Sequence, residues 1–212
     1  MTDDLIARLS ANLKPVRPMA IQRLLLAAVV LSGIVAVIAM NMWLGMRPDM
    51  ETAATKMMFW SKFGYTLGLA ILGGAATVVL ARPIGRTRWP WLTALALLAL
   101  LLIGAVVQLA RAEPDEMMPL IVGGTWLVGP WRILVLSLPI LAAALYVLRR
   151  LAPANPTLAG FAAGIMAGGT GAWVYSFACA ENGMMFVALW YTLGIVIVGA
   201  LGAVLGRFLL RW

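Results

Sequence analysis

Six runs of apolar residues, at 24–44, 63–81, 89–110, 133–148, 158–179 and 186–210, take up most of this 212-residue chain. A hydrocarbon core of about 30 Å needs about 20 residues of helix, and inside it every backbone N–H and C=O must be satisfied by the spanning segment itself. That requirement excludes lipid-facing loops and open sheet edges. It predicts an all-α integral membrane protein: a six-transmembrane-helix bundle in residues 23–212, preceded by a short segment, 1–22. Composition agrees, because 63% hydrophobic residues, 11% charged residues and a mean hydropathy of +0.97 lie outside the soluble range. The first run is expected to stay as a helix rather than leave as a signal peptide. It is too long for an h-region, follows Asp3 and Asp4, and ends in the bulky "NMWLGM".

Basic residues orient the bundle. Arg8, Lys14, Arg17 and Arg23 precede the first span, Arg82, Arg86 and Arg88 separate the second and third, Arg149 and Arg150 the fourth and fifth, and Arg207 and Arg211 close the chain. The opposite side holds Arg47, Lys56, Lys62, Arg111 and Arg132, so the positive-inside rule predicts that both termini are cytoplasmic. The formal +8 charge then faces an anionic inner leaflet, and direct nucleic-acid binding is not needed to explain it.

Coupled transport usually leaves ionised side chains at membrane depth, and no charge falls mid-span in this reading. A small transporter or channel subunit therefore stays only as the alternative. The conspicuous amides, Asn41 and Gln108, lie near the outer span ends, at the level of Tyr175 and Cys179. Gly160, Gly164, Gly168 and Gly171 in span five, with Gly199, Gly202 and Gly206 in span six, predict close packing of these two helices; the same pattern can form a homodimer seam.

An enzyme is not expected. The chain has no His, no phosphate-binding Gly-rich loop and one cysteine, which excludes imidazole bases and a C-x-x-C redox pair, and no cofactor is implied. Cys179 with Glu181 is an incomplete metal set that needs ligands from another loop or chain. Structural use, sensing of soft metals or electrophiles, and a disulfide between two molecules all stay open for Cys179. Arg47 with Asp49 reads as a turn and local ion pair ending span one, Trp60 with Lys62 as interfacial anchors at the start of span two, and Trp190 with Tyr191 as aromatic-belt residues.

The opening "MTDDLIARLSANLKPVRP" has an N-cap candidate at Thr2 or Asp3, acids in the first turn and Pro15 as its stop. Leu5, Ile6, Leu9 and Leu13 share one face at helical spacing, which predicts a short amphipathic helix. Such a stripe lies on the inner leaflet or enters a partner's groove.

These segments together resemble the NrsF-type family of six-span bacterial inner-membrane anti-sigma factors. The likeness runs through "DDLIARLSANLKPVRP", "LGMRPDM", "FWSKFGYTL", "ARP", "GGTWLVGPWRILVLSLP", "LRRLAPANPTLAG", "CAENGMMFVALWY" and "LLRW", in order and over the full length. The resemblance implies a regulator that holds an extracytoplasmic-function sigma factor at the inner membrane and frees it on a periplasmic stress signal, with oxidants and soft metals as candidates. By position it makes Leu5, Ile6, Leu9 and Leu13 the sigma-contacting stripe. Arg47, Asp49, Trp60, Lys62, Cys179, Glu181, Trp190 and Tyr191 become the outer-side, signal-sensing set. Members often carry a second cysteine at the place of Gly129 and a His at the place of Ala178, so a thiol pair or His/Cys metal switch is not implied here.

Overall fold

The structure, a computed structural model, describes residues 19–82, 88–151 and 153–211. The amphipathic segment with Leu5, Ile6, Leu9 and Leu13 lies outside the described residues. Among those described, the chain forms α1 (Ala20–Trp43), α2 (Met50–Ala54), α3 (Met57–Leu80), α4 (Trp89–Ala110) and α5 (Pro114–Val122). It continues with α6 (Gly129–Leu148), α7 (Pro156–Tyr175) and α8 (Met184–Leu209). No strand occurs among the described residues, and α1, α3, α4, α6, α7 and α8 are long and apolar enough to cross a membrane.

Local chemistry sets several of these boundaries. Prolines occupy the first turn of α4, α5, α6 and α7, where the missing N–H has no intrahelical partner to lose. Asn155 caps α7 by accepting from the Leu158 N–H at 3.0 Å. Two boundaries differ from the sequence reading in ways that matter for function. α3 begins at Met57, ahead of the expected start at 63, so Trp60 and Lys62 lie within its opening turns; α7 stops at Tyr175, which leaves Cys179 in the connection to α8.

α7 is the central helix, packed by α8, α3, α6 and, less extensively, α1. Its small residues make this close approach feasible. A Cβ at Gly164 would lie 2.7 Å from Gly199 Cα, and one at Gly160 would lie 2.9 Å from Gly206 Cα, so only hydrogen fits in the seam with α8. The neighbouring face does the same against α3, where a Cβ at Gly169 would come within 2.6 Å of Ala70 N. The glycine seam is thus used within one chain. In a bilayer, where lipid tails are as apolar as side chains, such backbone proximity and its dispersion contacts hold helices together.

α1 buries one narrow stripe, Leu25, Ser32, Ala36 and Met40, against α6 and α7. α4 sits at the periphery against α3 and the start of α8. The segment after α1, the last turn of α4, the α5–α6 loop and the loop after α7 converge at one end of the bundle, joined by the hydrogen bonds described next.

Candidate functional site

The loop from Ser176 to Gly183 is the hub of that end. The Cys179 carbonyl accepts from Lys62 Nζ at 2.9 Å and from Arg47 Nη1 at 3.2 Å, so cations from α3 and from the segment after α1 meet on one oxygen. Arg47 also donates its main-chain N–H to the Phe177 carbonyl at 3.1 Å. Its guanidinium holds Asp49 in a two-pronged pair, Nε to Oδ1 and Nη2 to Oδ2, both at 2.7 Å. This pairing pushes the Asp49 carboxyl down to about 2, chiefly through the hydrogen bonds from Arg47. The expected local ion pair is therefore present, and Arg47 does more than end a span.

Lys62 is 1% exposed, and both of its hydrogen-bond partners are main-chain oxygens, the second being the Glu181 carbonyl at 3.3 Å. Its ammonium also stands 5.8 Å from the centre of the Tyr191 ring, within cation–π range. The reading of Lys62 as an interfacial anchor is corrected by this burial. Trp60 fits that reading better: it is exposed and donates its indole N–H to the Ala54 carbonyl at 2.9 Å.

The Glu181 carboxylate turns away from Lys62 and reaches the α5–α6 loop, where Oε1 accepts from Gly124 N at 2.8 Å and Thr125 Oγ1 at 3.2 Å. Gly123 has φ +61°, and a Cβ there would lie 2.8 Å from Glu181 Oε2, so a side chain would disturb both the turn and the carboxylate. Cys179 itself is buried and free. Its main-chain N–H donates to the Tyr175 carbonyl at 3.0 Å. The Cys179 and Glu181 pair gains no further acidic or thiol ligand that would complete a metal set among the described residues.

The first turns of α8 widen into a π-helix at Val187–Tyr191, a device that re-aims side chains within an otherwise regular helix. Trp190 points toward α5, donating to the Ile121 carbonyl at 3.1 Å and packing against Trp126 with centroids 5.2 Å apart and the rings tilted by 51°. Tyr191 points inward, fully buried beside Tyr175 at 5.6 Å, and its hydroxyl has no partner among the described residues. The aromatic-belt reading of this pair is corrected for Tyr191, whose ring is a core group.

Gln108 ties α4 to the same hub, donating to the Asn182 carbonyl at 3.1 Å and accepting from Met184 N at 2.7 Å. Asn41, by contrast, donates back to the Val37 carbonyl in its own helix at 3.2 Å. The site thus brings together Arg47, Asp49, Lys62, Cys179, Glu181 and Tyr191, with Trp190 behind them and Trp60 at the rim. Sequence reasoning did not reveal the π-turn, because "VALWY" carries no Gly or Pro break. It also missed the Gly-Gly turn as the seat of Glu181, although a carboxylate and a lone pair of loop glycines are a recognisable match for main-chain N–H donation.

No solved structure matches this chain. It is 40% identical over 214 residues to the anti-sigma-F factor NrsF of Caulobacter vibrioides (strain NA1000 / CB15N), covering 100% of this chain and 99% of that protein. It is likewise 40% identical over 213 residues to the probable anti-sigma-F factor NrsF of Azospira oryzae, with the same coverage. The family model for NrsF, negative regulator of sigma F, matches residues 9–212. With the membrane-helix bundle and these full-length similarities together, the chain belongs to the NrsF family of negative regulators of sigma F.

Proposed function

We propose that this chain is an anti-sigma factor that holds an extracytoplasmic-function sigma factor at the bacterial inner membrane through residues 1–22, and releases it on a periplasmic signal. The observation that carries the reading is end-to-end similarity to an anti-sigma-F factor. The eleven-to-five division of basic residues between the two sides expected from the order of the spans supports cytoplasmic termini. In this reading Leu5, Ile6, Leu9 and Leu13 enter a groove on the sigma factor. The Cys179 hub is the receiving end.

Covalent continuity supports a route between them. Arg47 follows α1 by a few residues and bonds Cys179 O, while the N-terminal segment leads directly into α1, a helix of 24 residues and about 36 Å. Any ligand or thiol adduct that displaces the 176–183 loop disturbs Arg47 and Lys62 together, and so biases the ends of α1 and α3. Moving the sigma factor from mostly held to mostly free takes about 5.5 kcal/mol of differential binding between two states of the bundle. Deleting residues 1–14 tests the reading: the cognate sigma factor is expected to leave the membrane fraction and its target genes to be expressed without a signal. Continued retention and silence would overturn it.

A further inference from the structure

We propose that the methionines at the hub end of the bundle are a modification site for two-electron oxidants, and that sulfoxidation of Met46 loosens the tie between Arg47 and the 176–183 loop. Ten of the 13 methionines lie within 40–58, 117–118 and 184–185, which run from the last turn of α1 to the first turn of α3, through α5, and into the start of α8. These segments share the end where Arg47 bonds Cys179 O, Gln108 bonds Met184 N and Trp190 bonds Ile121 O. A need for apolar bulk does not account for the bias. The exposed faces of the crossing helices are built from Leu, Ile and Val, as at Leu26, Val30 and Ile34 of α1 and Leu95 and Ile103 of α4. Among the described residues, the one methionine deep within a span is Met166 of α7, and it is buried.

Access divides these sulfurs into two classes. Met42, Met46, Met57 and Met118 are 85%, 55%, 79% and 65% exposed, whereas Met40 and Met58 are buried. Met46 stands at the aqueous boundary, because the Asp49 side chain three residues on is 45% exposed and an ionised carboxylate needs water. A peroxide transfers one oxygen to such a thioether: thioether and H2O2 give sulfoxide and H2O, the S–O bond forming as the O–O bond breaks, with sulfur oxidised by two electrons and the peroxide reduced. No thiol, metal or second methionine takes part, so each exposed sulfur reacts alone. The product replaces a flexible apolar group with a polar one that carries an acceptor oxygen. At Met46 that acceptor is one residue from a buried guanidinium. The two bonds from Arg47 to Asp49 are 2.7 Å and the one to Cys179 O is 3.2 Å, so the bond to the loop is the one that a competing acceptor takes. Lys62 still donates to that carbonyl, which lets the Arg47 side chain leave without orphaning the oxygen.

The effect on a sigma factor rests on the anti-sigma reading above, whereas the modification itself does not, and the two are measured separately. The full chain in nanodiscs is treated with hydrogen peroxide, the peroxide is removed, and dithiothreitol is added to reduce oxidised thiol. Tandem mass spectrometry of the digest is expected to show Met42, Met46, Met57 and Met118 oxidised at least about tenfold faster than Met40, Met58 and Met166. The Kd for the cognate sigma factor, added after the peroxide is gone, is expected to weaken about tenfold, within the usual range of coupling between two sites. Methionine sulfoxide reductases A and B should restore it where dithiothreitol alone does not, and Met46→Leu should keep its affinity through the treatment. If the untreated chain does not bind the sigma factor, the anti-sigma reading fails and the thermal midpoint takes the place of Kd, with oxidation expected to lower it more in wild type than in Met46→Leu. Oxidation spread evenly over exposed and buried methionines, or an effect of equal size in wild type and Met46→Leu, zero included, would overturn the proposal.

Discussion

At the scale of residues, the two cations on the Cys179 carbonyl make a prediction with a defined sign. Removing either Arg47 or Lys62 leaves that oxygen one donor and relieves the repulsion between two neighbouring positive charges. Removing both orphans the oxygen and relieves the repulsion only once. Arg47→Met combined with Lys62→Met should therefore cost more than the sum of the single changes, by about 0.5–3 kcal/mol in a thermal-unfolding double-mutant cycle in detergent. Additive behaviour would mean that the shared oxygen is not a coupling point. Asp49 supplies a pH test. Its folded value of about 2 lies below its ordinary 3.8, so its pairing with Arg47 stabilises fully above that ordinary value and is lost as pH falls through about 2. The difference in thermal midpoint between wild type and Asp49→Asn should be constant above pH 5 and shrink between about pH 4 and 2.

At the scale of elements, the glycine-lined contact of α7 with α8 was legible in the sequence because small residues at helical spacing have one physical use there, close backbone approach. Gly164→Ala places its Cβ 2.7 Å from Gly199 Cα and 2.5 Å from the Val198 carbonyl oxygen. It should lower stability by about 1–3 kcal/mol through overpacking, while Gly33→Ala, with open space around its Cβ, should be neutral or mildly stabilising. Equal thermal midpoints for the two variants would contradict this account of the seam. Hydropathy found the six crossing helices but misjudged the starts and ends that place the site. Lys62 looked like a flanking cation because hydropathy averages cannot see that two carbonyls from a loop more than a hundred residues later will cover its ammonium. The short helices α2 and α5 were invisible for a related reason, since they are too brief to leave a periodic signal and their polar first turns read as loop.

At the scale of the whole molecule, an N-terminal segment that the sequence marks as amphipathic is joined to α1, and the opposite end of α1 is tied to a hub assembled from α3, α7, α8 and the α5–α6 loop. Which loops share an end of the bundle was legible from the order of the spans, whereas the convergence on the 176–183 loop depends on tertiary contacts that no local pattern encodes. Our central claim is that the stripe of Leu5, Ile6, Leu9 and Leu13 holds the sigma factor. The most direct measurement is the Kd between the protein in nanodiscs and its cognate sigma factor, for wild type and for a variant with all four residues changed to Ser. Burying four aliphatic side chains is worth several kcal/mol, at about 1.5–3 kcal/mol each, so the account predicts at least about a 100-fold weaker Kd with the bundle still folded. An unchanged Kd in a folded variant would contradict it.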